Sequence, residues 1–243
     1  MTEEKSVNSK KLFLSGVAIM TLSTAIVKII GLLYKIPMLS YLGTEGMAYF
    51  NAAYDIYTMF YMISTAGLPV AVSIFISENR VRGNVRNIRR IYRVTVSMFF
   101  VIGCAGMLAM IFGSGWFADR IGIDDSAYCI VAIAPTLFLI CISSALRGYF
   151  QGHQIMTPTA VSQIIEALGK LLVGLFLASW ALKKGYSLPV VAAFAVLGLT
   201  IGVAVSMLYL IFTKFFSELR ENSRLLPRTE VCFPKEAPRF SEI

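Results

Sequence analysis

Charge is scarce in this 243-residue chain: Asp, Glu, Lys and Arg make up 15% of it, against about 25% in an ordinary globular chain. Residues that carry chemistry are scarcer still. There is one histidine, His153, with no companion ligand near it in sequence, so a His-based metal site is excluded. The four cysteines, Cys104, Cys129, Cys141 and Cys232, form no C-x-x-C pair and read as small apolar residues instead of ligands or disulfides. H-E-x-x-H and G-x-S-x-G are missing, as is a cytoplasmic cluster of acids able to hold Mg²⁺. Gly169-Lys170 resembles the end of a phosphate-binding loop, but the first glycine of that motif is replaced by Ile164 and no strand precedes it. The expectation is a protein that is not an enzyme and has no cofactor and no metal.

What the chain has in abundance is apolar sequence: 57% of residues are hydrophobic and the mean hydropathy is +0.71. A helix needs roughly 20 apolar residues to cross a hydrocarbon core of about 30 Å. Six stretches reach that length, about 12–33, 47–77, 91–113, 128–150, 158–182 and 189–213. The alternating segments of about ten residues that a membrane barrel requires are absent. The expected fold is therefore all-α, a polytopic bundle of six transmembrane helices in the cell membrane, because a spanning helix satisfies its own backbone groups. Lys10 and Lys11 precede the first stretch as they would in a signal peptide, but no small-x-small cleavage pattern follows, so it reads as a retained helix. Residues 1–11 form an N-terminal segment, and residues 214–243, with Pro227, Pro234 and Pro238, read as a polar tail or interlobe linker.

A net charge of +8 invites a nucleic-acid reading, and the placement of the charges removes it. Arg80, Arg82, Arg86, Arg89, Arg90 and Arg93 lie between the second and third stretches. If the helices alternate, they share one side with Lys5, Lys10, Lys11, Arg147 and the basic residues after the sixth stretch. The other side has Lys35, Arg120, Lys183 and Lys184 beside Asp119, Asp124 and Asp125. By the positive-inside rule both termini are cytoplasmic. The Arg-rich loop 80–93 is first a topology determinant, and it can also lie on anionic lipid of the inner leaflet at about 1 kcal/mol per Arg.

Three stretches carry polar stripes. In the fifth, Thr159, Gln163, Glu166, Lys170 and Gly174 recur at helical spacing, with Leu168, Leu171, Leu172 and Leu175 on the remaining surface. At 1.5 Å per residue, Lys170 lies about 18 Å into the membrane, too deep to reach either surface easily. The second stretch aligns Asn51, Asp55, Thr58, Met62 and Thr65 beside an aromatic edge of Tyr54, Tyr57 and Tyr61. The first aligns Thr21, Thr24, Lys28 and Gly31, and Arg147 stands near the end of the fourth. A charge at a helix centre costs at least about 2.5–3.5 kcal/mol on insertion scales and so requires a partner or a polar cavity. Two arrangements meet that need. Glu166 can pair with Lys170 one turn away, and Lys28 with Asp55. Alternatively the stripes line a common cavity, with Lys28, Lys170 and Arg147 attracting an anion, Asn51 and Gln163 lining the wall, and Asp55 or Glu166 taking up H⁺ or Na⁺ to couple transport. Pro69 and Pro135 lie inside long stretches and are candidate kinks. GYFQG (148–152) and GLTIG (198–202) are small-xxx-small patterns and read as helix packing.

Two stretches go beyond hydropathy. GLLYKIPMLSYLGTEGMAYFNAAYDIYTMFYMISTAGLPVAVSIFISEN (31–79) and LRGYFQGHQIMTPTAVSQIIEALGKL (146–171) resemble the stage V sporulation protein B-like branch of the oligosaccharidyl-lipid flippases. That branch shares a superfamily with the lipid II flippases and the multidrug and toxin extrusion transporters. The resemblance runs from about Leu12 to Arg224. It implies two lobes of at least six helices around a central cavity, moving a polyprenyl-diphosphate saccharide or lipid II-like precursor by alternating access. It also implies that cavity cations hold the diphosphate, here Lys28, Arg147 and Lys170, with Glu166 as their neighbour. The chain is then expected to be the N-terminal lobe of such a flippase, with a second lobe or an oligomer as its protein partner. The alternatives are a cation-coupled multidrug or small-molecule exporter and a non-transporting membrane partner.

Overall fold

The path of the chain into the membrane turns on Gly43. The computed structural model describes residues 2–65 and 67–224; Cys232 and the proline-containing tail after residue 224 lie outside the described residues. Helix α1 (Thr2–Thr65) is interrupted at Gly43, whose φ of 64° and ψ of −170° fall in a region open essentially to glycine alone. The chain reverses there. On a straight helix Tyr34 and Phe50 would stand about 24 Å apart, yet their ring centroids are 6.1 Å apart. The 49-residue apolar run Ser15–Ile63 is therefore a hairpin of two arms, residues 2–42 and 44–65, and supplies two crossings. Four more helices are long and apolar enough to span: α3 (Val85–Ile121), α4 (Ala127–Gly152), α5 (Thr157–Lys183) and α6 (Leu188–Arg224). Among the described residues every regular element is helical, and the protein is a multi-pass, all-α membrane protein.

The second apolar stretch, expected as one helix over 47–77, is broken. Gly67 adopts φ 74° and ends the hairpin's second arm, and α2 (Leu68–Val81) begins beyond it with Pro69 in its first turn. At that position the missing N–H of proline has no intrahelical partner to lose. Pro69 thus starts a helix instead of kinking one. Pro135 lies within α4, which remains helical across it. Nearby, Thr136 and Thr200 share a 2.7 Å hydrogen bond and the Thr200 hydroxyl donates to the Ala132 carbonyl at 3.4 Å, joining α6 to α4. Helices α3 and α6 overrun their apolar stretches. Asn84 caps α3 by accepting from the Asn87 N–H at 3.3 Å, which draws the arginine-rich residues 86–93 into the helix.

Small residues set the helix spacing. Gly148 and Gly152 of α4 lie against Pro69, Val72 and Ile76 of α2, so close that a Cβ at Gly152 would stand 2.7 Å from Cβ of Ile76. Gly198 and Gly202 of α6 lie against Gly174 and Gly169 of α5, backbone on backbone. Both glycine patterns thus mediate packing within the chain. The core between the helices is built from residues such as Met38, Leu42, Ala53, Ile130, Leu137, Val196 and Val203. Leu22, Leu32 and Ile36 of α1, Phe112 of α3, and Leu172 and Phe176 of α5 point outward, as a lipid-facing surface requires. At one end of the bundle a guanidinium nitrogen of Arg80 donates to the His153 carbonyl, and the Lys214 ammonium of α6 lies over the Tyr92 and Tyr149 rings. That end carries the arginines of residues 80–93.

Candidate binding cavity

The first arm of α1, the second arm, α4 and α5 enclose a cavity of about 410 Å³, with Leu199 of α6 at its side. Lys28 and Tyr34 come from the first arm, Tyr54 and Tyr61 from the second, Arg147 from α4, and Gln163, Glu166 and Lys170 from α5. Five of the seven residues singled out in the sequence therefore share one wall. The other two do not. Asn51 and Asp55 are exposed on the far side of the second arm, and the aromatic edge beside them turns inward instead. The cause is helical phase. Phe50, Ala53 and Tyr57 are buried, and at 3.6 residues per turn Asn51 and Asp55 fall on the opposite side of the helix from the middle of that face. Lys28 and Asp55, one of the pairings open to the sequence, form no ion pair in the structure.

Arg147 is the most constrained of the cations. Its Nη2 lies 2.7 Å from Glu166 Oε2 in the one ion pair among the described residues, and also donates to Ser206 Oγ at 3.4 Å. Its Nε donates to Ser162 Oγ at 3.1 Å. The serines are themselves held: Ser162 donates to the Thr159 carbonyl at 2.7 Å and Ser206 to the Ser162 carbonyl at 2.9 Å. A buried guanidinium thus ties α4 to both α5 and α6 through donors in its fixed fork. Glu166 accordingly faces Arg147 and not Lys170, which overturns the pairing within one helix. Ser23 of the first arm closes the ring by donating to the Ala160 carbonyl at 3.0 Å and to Gln163 Oε1 at 3.3 Å.

Lys170 has no carboxylate within ion-pair distance among the described residues. Its ammonium instead lies 4.5 Å from the ring centroid of Tyr54, 4.9 Å from that of Tyr34 and 5.8 Å from that of Phe50. The faces of aromatic rings attract a cation, each contact being worth about 0.5–2 kcal/mol depending on its solvation, but they do not neutralise it. Tyr34 Oη is buried and has no hydrogen-bond partner among the described residues. Lys28 is exposed at the cavity. The lining carries three cations and one carboxylate, and that carboxylate is already spent on Arg147. What remains is an excess of positive charge, which suits a compact anion.

Tyr34, Phe50, Ser162 and Ser206 were not legible as site residues. Tyr34 continues the stripe of Lys28 and Gly31, but it falls just past the end of the apolar stretch at residue 33. The two serines have the sequence signature of ordinary packing.

The family model for polysaccharide biosynthesis proteins matches residues 13–232. The chain belongs to that family. It is 34% identical over 168 residues to the lipid II flippase MurJ of Bacillus subtilis (strain 168), covering 65% of this chain and 31% of the relative. It is 28% identical over 203 residues to the stage V sporulation protein B of the same organism, covering 83% of this chain and 39% of the relative. Over 221 residues it is 28% identical to that organism's uncharacterized membrane protein YabM, covering 91% of this chain and 41% of the relative. The chain thus spans a third to two-fifths of the length of these relatives. No solved structure matches it. Family membership and five long apolar helices together place it in the cell membrane as a multi-pass protein.

Proposed function

We propose that this chain is the N-terminal lobe of a flippase that moves lipid-linked saccharide precursors of the wall or of polysaccharides, polyprenyl-diphosphate saccharides of the lipid II kind, by alternating access. The observation that carries the reading is Lys170, a cation deep in an apolar helix, unpaired, aimed at the cavity and held by three aromatic rings. The names of two relatives, a lipid II flippase and a sporulation protein, point the same way. A cavity of about 410 Å³ is at the small end of the usual ligand range of roughly 300–1,000 Å³. It fits the diphosphate and part of a sugar and leaves the polyprenyl chain in the membrane. Lys28 and Lys170 contact the diphosphate, and Arg147, anchored by Glu166, supplies the third positive charge. Alternating access requires one bundle to move against another, so the reading includes a second lobe as partner.

The test uses farnesyl diphosphate, a short polyprenyl diphosphate, with the purified chain in neutral detergent. It should bind more tightly than farnesyl monophosphate, and Lys28→Gln and Lys170→Gln should each weaken it by roughly tenfold, the loss of one charge-assisted contact. Equal affinity for the diphosphate and for farnesol, or variants that bind like the parent chain, would remove the cavity from the mechanism.

A further inference from the structure

A second cationic site lies outside the cavity, on the outer face of α3. Arg86, Arg90 and Arg93 line a groove of about 650 Å³ together with Val94, Ser97 and Met98. The spacing i, i+4, i+7 places the three guanidinium groups on one helix face. No described carboxylate lies within ion-pair distance of any of them. The opposite face of α3 is occupied: Ile88, Thr95, Phe99 and Met110 are buried against the bundle. The arginine face is free.

The same face changes character along the helix. Below the arginines it continues as Val94, Met98, Val101, Leu108 and Phe112, all exposed, with Phe112 at 84%. From Val94 to Leu108 this apolar stripe extends about 21 Å, enough for an acyl chain across one leaflet of about 15 Å. Cationic forks at the level of the headgroups above an uncovered apolar track form the outline of one phospholipid. Guanidinium groups bind phosphate oxygens in pairs, and three of them converging on one groove make more than the diffuse attraction of a basic loop.

We infer that this groove holds an anionic phospholipid of the arginine-side leaflet, its phosphodiester between Arg86, Arg90 and Arg93 and an acyl chain along Val94 and Met98. The charge pattern argues against a second copy docking through the same face, since that would bring like charges together. The inference stands apart from the cavity and from whatever the cavity carries.

The experiment measures phosphatidylglycerol and phosphatidylcholine binding to the purified 243-residue chain by native mass spectrometry. Two variants that remove equal charge from the same segment are compared, R86Q/R90Q in the groove and R82Q/R89Q beside it. Phosphatidylglycerol should bind in preference to phosphatidylcholine, and the groove pair should weaken it by at least about 30-fold, the loss of two charge-assisted contacts to one phosphodiester. The neighbouring pair should change it little, and millimolar inorganic phosphate should not displace the lipid. Equal losses in both variants would mean bulk electrostatics, displacement by phosphate would mean a phosphate site, and no preference over phosphatidylcholine, or a dimer with no bound lipid, would mean that the groove has another occupant. Each of those results overturns the inference.

Discussion

Glu166→Gln separates the two roles that the cavity combines. The carboxylate lies 2.7 Å from Arg147 Nη2, and the two side chains are 23% and 11% exposed. Removing one partner of a fully buried pair costs about 3–5 kcal/mol. Here Glu166 retains some contact with the cavity, and glutamine keeps an oxygen that accepts from Nη2, so the loss should be about 1–3 kcal/mol. Arg147→Gln should cost less. Glu166 then has Lys170 one turn away on its own helix, whereas Arg147 has no other carboxylate and only the hydroxyls of Ser162 and Ser206. The predicted order of stability is parent, Arg147→Gln, Glu166→Gln, measured as thermal unfolding in detergent from the fluorescence of Trp116 and Trp180. Diphosphate binding should move the opposite way: Glu166→Gln removes the internal competitor of any anion and so should bind farnesyl diphosphate more tightly, while Arg147→Gln binds it more weakly. A double variant should lose less stability than the two single variants summed, as expected for residues in contact. If the losses simply add, or if Glu166→Gln weakens diphosphate binding, the clasp is not what holds α4 to α5 and Glu166 is not a competitor for the anion.

Two further predictions concern the framework. A Cβ at Gly202 would stand 2.8 Å from the Glu166 carbonyl oxygen and 3.0 Å from the Lys170 amide nitrogen. Gly202→Val should therefore cost at least about 1–3 kcal/mol by overpacking and, by pushing α5 away, reduce diphosphate binding. Gly115→Ala is the control, because a Cβ there meets nothing within 4 Å; unfolding temperatures that fall equally would refute the packing argument. For orientation, single cysteines at Arg82 and Asp125 in a background without native cysteines should label differently on intact cells. An impermeant maleimide should reach the Asp125→Cys variant and should reach Arg82→Cys only after permeabilisation. The reverse pattern would invert the assigned topology.

The membrane class and the helices were legible because they depend on composition and length alone. Helices α4 and α5 coincide with their apolar stretches to within two residues. Breaks were harder to read. Gly43 and Gly67 adopt positive φ, but among 18 glycines nothing local distinguishes these two from Gly31 or Gly115, which lie inside helices. The cavity was legible in part. A polar stripe on an apolar helix signals that one face avoids lipid, and for α5 that face could be assigned because Lys170 and Glu166 have few alternatives at their depth. The second arm shows the limit of this reasoning. Its polar stripe and its aromatic edge are neighbours on the helix surface, and periodicity fixes only their relative angle. Which of the two faces the bundle depends on what the other helices present, here the Lys170 ammonium, which the rings of Phe50 and Tyr54 meet with their faces. An aspartate in that position would have formed an ion pair and neutralised the cation. The rings hold it in place and leave its charge available, so the arrangement that hid Asn51 and Asp55 from the cavity is also the one that keeps the cavity attractive to an anion.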